Sequence, residues 1–122
     1  MSIQDIAARY NDLQRELGEA PGDQDWSNKI NALFSEDFIK TLNGEIFVKN
    51  RSELPEQISR CREEAGFWKI EEKEIIPSIC TKKCIIRYAL TSENFGKCEV
   101  VAILRSLSGH QIETIDEIYY EA

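Results

Sequence analysis

Residues 97–120 read KCEVVAILRSLSGHQIETIDEIYY, and their reading decides the fold. Two alternating runs, Lys97 to Leu107 and His110 to Tyr120, are separated only by Ser108-Gly109. A period of two marks strands on a pleated sheet. So short a connection admits only an antiparallel partner, because a parallel one needs a crossover of a dozen or more residues. Working back toward the N-terminus, the same period holds over Phe67 to Ile76 and Cys80 to Thr91, with polar turns around Lys82 and at Asn94-Phe95-Gly96. The result is a meander of four strands, each long enough that the sheet should twist and curve.

The first half of the chain changes period. Ile3, Ile6, Ala7, Tyr10, Leu13 and Leu17 recur at helical spacing, and Gly18 is a plausible stop. After the turn Glu19 to Asp23, either Asp23 or Asp25 can cap a second helix whose apolar face carries Trp26, Ile30, Leu33 and Phe34. Phe38 to Leu42 and Glu45 to Val48 flank Asn43-Gly44, a pair suited to the positive φ angles of a tight hairpin turn. A third helix is predicted from a Ser52 cap, with Pro55 in its first turn and Gly66 at its end. The expected fold class is α+β: three N-terminal helices packed on a curved, antiparallel, four-stranded meander, plus a small hairpin. No linker or repeat divides residues 1–122, so one domain is expected.

Composition narrows the function classes. With 22 acidic residues against 15 basic ones and a net charge of -7, the chain lacks the positive surface that nucleic-acid binding requires. No run approaches the ~18 apolar residues of a membrane span. The opening residues lack the basic and apolar regions of a signal peptide, which predicts a soluble, cytoplasmic protein with no membrane partner.

Several stretches carry a family resemblance. Ala8-Arg9-Tyr10 lies midway along the first helix, and Gly22-Asp23-Gln24-Asp25-Trp26 precedes Ala32-Leu33-Phe34-Ser35-Glu36-Asp37-Phe38. Gly109-His110-Gln111-Ile112-Glu113 runs into Asp116-Glu117-Ile118-Tyr119-Tyr120. With the order of elements, these resemble the nuclear transport factor 2-like superfamily, which includes SnoaL-like and ketosteroid isomerase-like proteins. The resemblance implies a cone of sheet around a long helix, a pocket for a small apolar or carbonyl-bearing ligand, and a homodimer through the outer sheet face. Isomerase-type members use a tyrosine on the first helix, matched by Tyr10, and two carboxylates. At the carboxylate positions this chain has Thr41-Leu42-Asn43 and the stretch Ile103 to Arg105, neither of which holds an acid. General-base chemistry needs a base within hydrogen-bond reach, so the family-type isomerase mechanism is not expected.

Candidate site residues follow. Tyr10 is either a core tyrosine or a donor aimed into the pocket. Arg105 shares a face with Glu99, Val101 and Ile103. If that face is concave, Asp116, Glu113 or Glu117 could pair with it. Asp116 is favoured, since Ile112, Thr114, Asp116 and Ile118 form the alternating set that matches the family's inward positions. Otherwise Arg105 lies at the sheet edge or dimer face. Phe38, Phe47 and Trp68 are the best pocket-lining aromatics, and Tyr88 shares an alternating set with Cys84, Ile86 and Leu90. His110 reads as a solvated turn residue. Cys61, Cys80, Cys84 and Cys98 read as reduced thiols, with a Cys80–Cys84 cross-strand disulfide the alternative. Their spacing does not suggest zinc, and no metal or cofactor is expected.

Three functions compete. The first is a homodimeric SnoaL-like pocket protein that binds a small molecule. The second is a cyclase, dehydratase or isomerase using Tyr10, Arg105 and Asp116. The third is a dimerisation scaffold with a vestigial pocket.

Overall fold

The computed structural model describes residues 2–20, 25–80 and 82–121. Helix α1 (Ile3–Glu19) opens with a reciprocal cap: the Ser2 hydroxyl accepts the Asp5 N–H at 3.1 Å and the Asp5 carboxylate accepts the Ser2 N–H at 3.0 Å. Its stripe of Ile3, Ile6, Tyr10, Leu13 and Leu17 is buried. Gly18 does not stop the helix, which continues through Glu19. The glycine is needed because Trp68 packs against it so closely that an added Cβ would lie 2.3 Å from the indole.

Helix α2 (Ser27–Leu33) is shorter than its apolar spacing suggests. The Asp25 carboxylate accepts the Ser27 N–H at 2.9 Å, while Asp23 and the Gly22-Asp23-Gln24 stretch lie outside the described residues. Phe34, expected on this helix, instead opens strand β1 (Phe34–Leu42), where its extended backbone pairs with Ile112. Strand β2 (Glu45–Val48) returns through Asn43-Gly44, with φ of 49° and 86°. Ser52 does not cap helix α3 (Leu54–Ala65): it sits in a 3-10 turn, Arg51–Glu53, with its hydroxyl turned to the Asn50 side chain. Pro55 and Gly66 occupy the helix start and end as predicted.

The meander consists of β3 (Trp68–Pro77), β4 (Lys83–Ser92), β5 (Gly96–Arg105) and β6 (Ile112–Glu121), all antiparallel to their sequence neighbours. The small hairpin is not separate from it. β1 runs parallel to β6, giving one curved, unclosed six-stranded sheet in the order β2-β1-β6-β5-β4-β3. The chain between β1 and β6 includes α3 and three strands, ample for the crossover that parallel pairing demands. β4 begins at Lys83, so Cys80 stays in the exposed connection while buried Cys84 pairs across from Pro77. The two thiols are therefore not opposite one another, and all four cysteines are free of disulfides.

Which face is concave follows from burial and register. Val100, Ala102 and Leu104 are buried on β5 and stand beside Tyr119, Glu117 and Ile115 of β6. The inward set on β6 is thus Ile115, Glu117 and Tyr119, not Thr114, Asp116 and Ile118. The reason is local: Ile112 is also fully buried, so the strand changes parity across Glu113 and Thr114. The β1–β6 ladder is irregular at the same place, passing from the Phe34 and Ile112 pair to that of Ile39 and Thr114. No helix among the described residues is long and apolar enough to cross a membrane.

Candidate functional site

Between α1, α3, the β1–β2 hairpin and the concave sheet face lies a cavity of about 410 Å³. Tyr10, Phe38, Phe47 and Trp68 all line it. Each owes its position to its element: Tyr10 to the helical stripe of α1, Phe38 and Phe47 to the facing strands of the hairpin, and Trp68 to the start of β3 under α1. Tyr10 stands edge-on to Phe34, with ring centroids 6.1 Å apart. The Trp68 indole N–H donates to the Gln14 carbonyl at 2.9 Å, which fixes the ring against the helix.

The polar end of the cavity was not foreseen. Glu117, 1% exposed, points inward from β6. One carboxylate oxygen accepts the Tyr10 hydroxyl at 3.0 Å and the Tyr88 hydroxyl at 2.6 Å. The other faces the Lys40 ammonium at 2.7 Å and the Tyr119 hydroxyl at 3.4 Å. Lys40 also donates to the Tyr10 hydroxyl at 3.2 Å, and its ammonium lies 5.9 Å from the ring centroids of both Tyr10 and Phe47. Lys40, Tyr10 and Tyr119 line the cavity; Glu117 holds them from behind. A buried charge persists only when it is paired and hydrogen-bonded, and both conditions are met here.

Tyr88 lies on the concave side but is fully buried, with its hydroxyl bound to Glu117, and it is not among the residues that line the cavity. Arg105 and Asp116 do form the expected pair, at 2.5 Å, and the Thr41 hydroxyl donates to the second Asp116 oxygen at 2.7 Å. These bonds to Thr41 and Arg105 lower the Asp116 carboxyl below its ordinary value. The pair nevertheless lies on the convex face, one residue out of phase with the inward set, and ties β1, β6 and β5 together there. Tyr10, Arg105 and Asp116 therefore do not converge on one cavity, and the catalytic constellation expected from them does not form. His110 is exposed in the bend before β6. Among the described residues no group of three or more His, Cys, Asp and Glu side chains could hold a metal ion.

The network has a consequence for alkaline stability. Burial first, and the Glu117 charge second, push the Tyr10, Tyr88 and Tyr119 hydroxyls well above the ordinary tyrosine value. Burial alone would pull the Lys40 ammonium down, but Glu117 more than reverses this and holds it above the ordinary lysine value. All four folded values are raised. Their contribution is therefore complete below the unfolded values and is lost as pH rises through the folded ones. Stability should hold to pH about 10 and then fall by up to about 1.4 kcal/mol per pH unit for each group. Denaturant melts over that range check the slope. Phenolate absorbance of Tyr10, Tyr88 and Tyr119 should appear only together with unfolding.

The helices, the order of the six strands and the inward-facing cavity define a cone of the nuclear transport factor 2-like type, and the solved structures that resemble the chain have the same fold. A nuclear transport factor 2-like protein of unknown function from Exiguobacterium superposes with a TM-score of 0.77 at 16% identity, covering 96% of this chain and 99% of that one. A candidate isomerase of the SnoaL-like family from Agrobacterium tumefaciens gives 0.74 at 9% identity, covering 96% of each chain. A candidate polyketide cyclase from Sinorhizobium meliloti gives 0.72 at 14% identity, covering 93% of each. No protein-family model matches the sequence, and no curated protein does.

Proposed function

We propose that the chain is a small-molecule-binding protein that holds a largely apolar ligand in its cone without transforming it. The carrying observation is the cavity of about 410 Å³, walled mainly by apolar side chains, with Lys40, Tyr10 and Tyr119 joined in one hydrogen-bonded group through Glu117. That size and that distribution are typical of ligand pockets. Glu117 is turned inward from the sheet, and it is occupied by an ammonium and three hydroxyls. A carboxylate so engaged is a scaffold for its neighbours rather than a free base, which favours binding over proton abstraction.

N-phenylnaphthylamine, a neutral and mainly hydrocarbon dye, is expected to bind saturably with enhanced emission. Ligand at about a hundred times its Kd should stabilise the fold by about 2.7 kcal/mol. Cys61→Phe, which projects a ring from α3 into the cavity, should weaken dye binding more than about tenfold while unfolding stays cooperative. Unchanged binding in that variant would place the dye elsewhere and remove the support for this reading.

The convex face completes the proposal, with a second copy of the chain as its occupant. Ile39, Ile76, Ile85, Ile118 and Tyr120 are exposed there. Arg105 pairs with Asp116, Arg87 with Glu74 and Lys73 with Glu99 on this face. Two copies that each carry a charge of -7 can approach through a face that mixes exposed apolar side chains with such pairs, with less repulsion than through an acidic surface. Sedimentation should give a dimer for the wild type and a monomer for Ile118→Glu. A monomeric wild type at high concentration would overturn the dimer.

A further inference from the structure

We infer that Lys40 is the ligand-recognising donor of the cavity and that, because Glu117 neutralises it, the site selects a neutral hydrogen-bond acceptor and rejects a carboxylate of the same size. The inference rests on the pocket reading above and specifies which ligands that pocket takes.

The Lys40 ammonium has three hydrogens to donate. One goes to Glu117 at 2.7 Å and one to the Tyr10 hydroxyl at 3.2 Å. Among the described residues the third has no hydrogen-bond acceptor. Around it are the faces of Tyr10 and Phe47, with ring centroids at 5.9 Å, and the cavity, which Lys40 itself lines. The Lys40 side chain is 16% exposed and that of Glu117 is 0% exposed, so the positive end of the pair is the end a ligand meets. A ligand oxygen that reaches it completes the lysine's set of partners.

Lys40 and Glu117 sum to zero, with Tyr10, Tyr119 and Phe47 beside them; Glu64 of α3, exposed, also lines the cavity and adds no positive charge. A carbonyl, ester or ether oxygen gains the free N–H and brings no net charge into the cavity. A carboxylate gains the same bond but must lose its hydration with no uncompensated cation to meet it, which is a strongly unfavourable transfer. It would also stand one ammonium away from the Glu117 carboxylate.

Glu117 sets the selectivity without lining the cavity. Glu117→Gln keeps the shape of the side chain and an acceptor for the hydroxyls, and it removes the negative charge. Lys40 then becomes an unneutralised cation facing the ligand, and an anion becomes its natural partner. Glu117 is a positioning residue in this scheme, and Lys40 the residue that touches the ligand.

The test is displacement of N-phenylnaphthylamine by two chains of eleven carbons, methyl nonyl ketone and undecanoate, at pH about 8, where a carboxylic acid is fully ionised. In the wild type the ketone should displace the dye at a concentration at least about tenfold lower than undecanoate. In Glu117→Gln that ratio should shift toward undecanoate by at least about tenfold. If Glu117→Gln does not fold, Lys40→Met decides: it should weaken the ketone at least about fivefold more than it weakens the dye. Equal displacement by both compounds in the wild type would overturn the inference with the pocket intact. So would an unshifted ratio in folded Glu117→Gln, or a ketone weakened no more than the dye in Lys40→Met. Failure of the dye and both compounds to bind would instead overturn the pocket reading, and this inference with it.

Discussion

Glu117→Leu should lower the free energy of unfolding by about 3–5 kcal/mol, the cost of breaking a buried ion pair by removing one partner. Two effects combine. The Lys40 ammonium, close to two aromatic rings, loses the carboxylate at 2.7 Å that compensates its charge inside the cone. The Tyr10 and Tyr88 hydroxyls lose their acceptor at the same moment, and each buried hydroxyl left without a partner costs about 1–3 kcal/mol. These costs are not additive, because the freed hydroxyls can regroup: the Tyr88 hydroxyl lies 3.3 Å from the Gln14 side-chain oxygen. Glu117→Gln, which retains an acceptor and the side-chain volume, should cost less than Glu117→Leu. Adding Lys40→Met to Glu117→Leu should restore part of the loss, since a buried pair replaced on both sides by apolar groups leaves no orphaned charge. Denaturant melts of the four proteins, with the slope held common, measure all of this. A loss under about 1 kcal/mol for Glu117→Leu would show that the network is solvated and adds little to the fold.

What was legible in the sequence was whatever rests on local pattern. The alternation along β3 to β6, the helical stripe of α1 and the Asn43-Gly44 turn each follow from a few neighbouring residues, and each lies within three residues of where it was read. The aromatic part of the cavity was legible for the same reason, because Tyr10, Phe38, Phe47 and Trp68 sit on the apolar phase of their own elements. The polar end depended on choosing a face, and local pattern could not choose. β5 is apolar on both sides, with Val100, Ala102 and Leu104 inside and Val101 and Ile103 outside. β6 carries acids at adjacent positions, Asp116 and Glu117, and it changes parity between Ile112 and Ile115. One residue of phase exchanged the surface acid for the buried one. The clue that was present is Lys40, two residues beyond the buried Phe38 on β1 and therefore on its inner face. A lysine in a strand is usually read as outward. Only the parallel pairing of β1 with β6 brings it to Glu117, and that pairing joins distant parts of the chain.

Gly18→Ala should destabilise the fold by about 1–3 kcal/mol, against the gain that helix propensity alone would give. Gly18 lies in the last turn of α1, where alanine is intrinsically better than glycine by about 1 kcal/mol. The added methyl would stand 2.3 Å from the Trp68 Cδ1, 2.4 Å from the Trp68 carbonyl oxygen and 2.5 Å from the indole nitrogen. None of these can give way cheaply. The carbonyl belongs to β3, where Trp68 is paired with Ser92; the indole is bonded to the Gln14 carbonyl at 2.9 Å and stacked by the Arg62 guanidinium at 5.8 Å from the ring centroid. The strain must be relieved by lifting the end of α1 off β3 or by turning the indole toward the cavity it lines. The first route exposes Leu17, and the second fills space that a ligand would occupy. A midpoint of denaturation below that of the wild type, with weakened N-phenylnaphthylamine binding, is therefore expected. A stabilised Gly18→Ala with unchanged dye binding would mean that α1 and β3 separate at little cost, and that the tight helix–strand contact does not define the cavity wall.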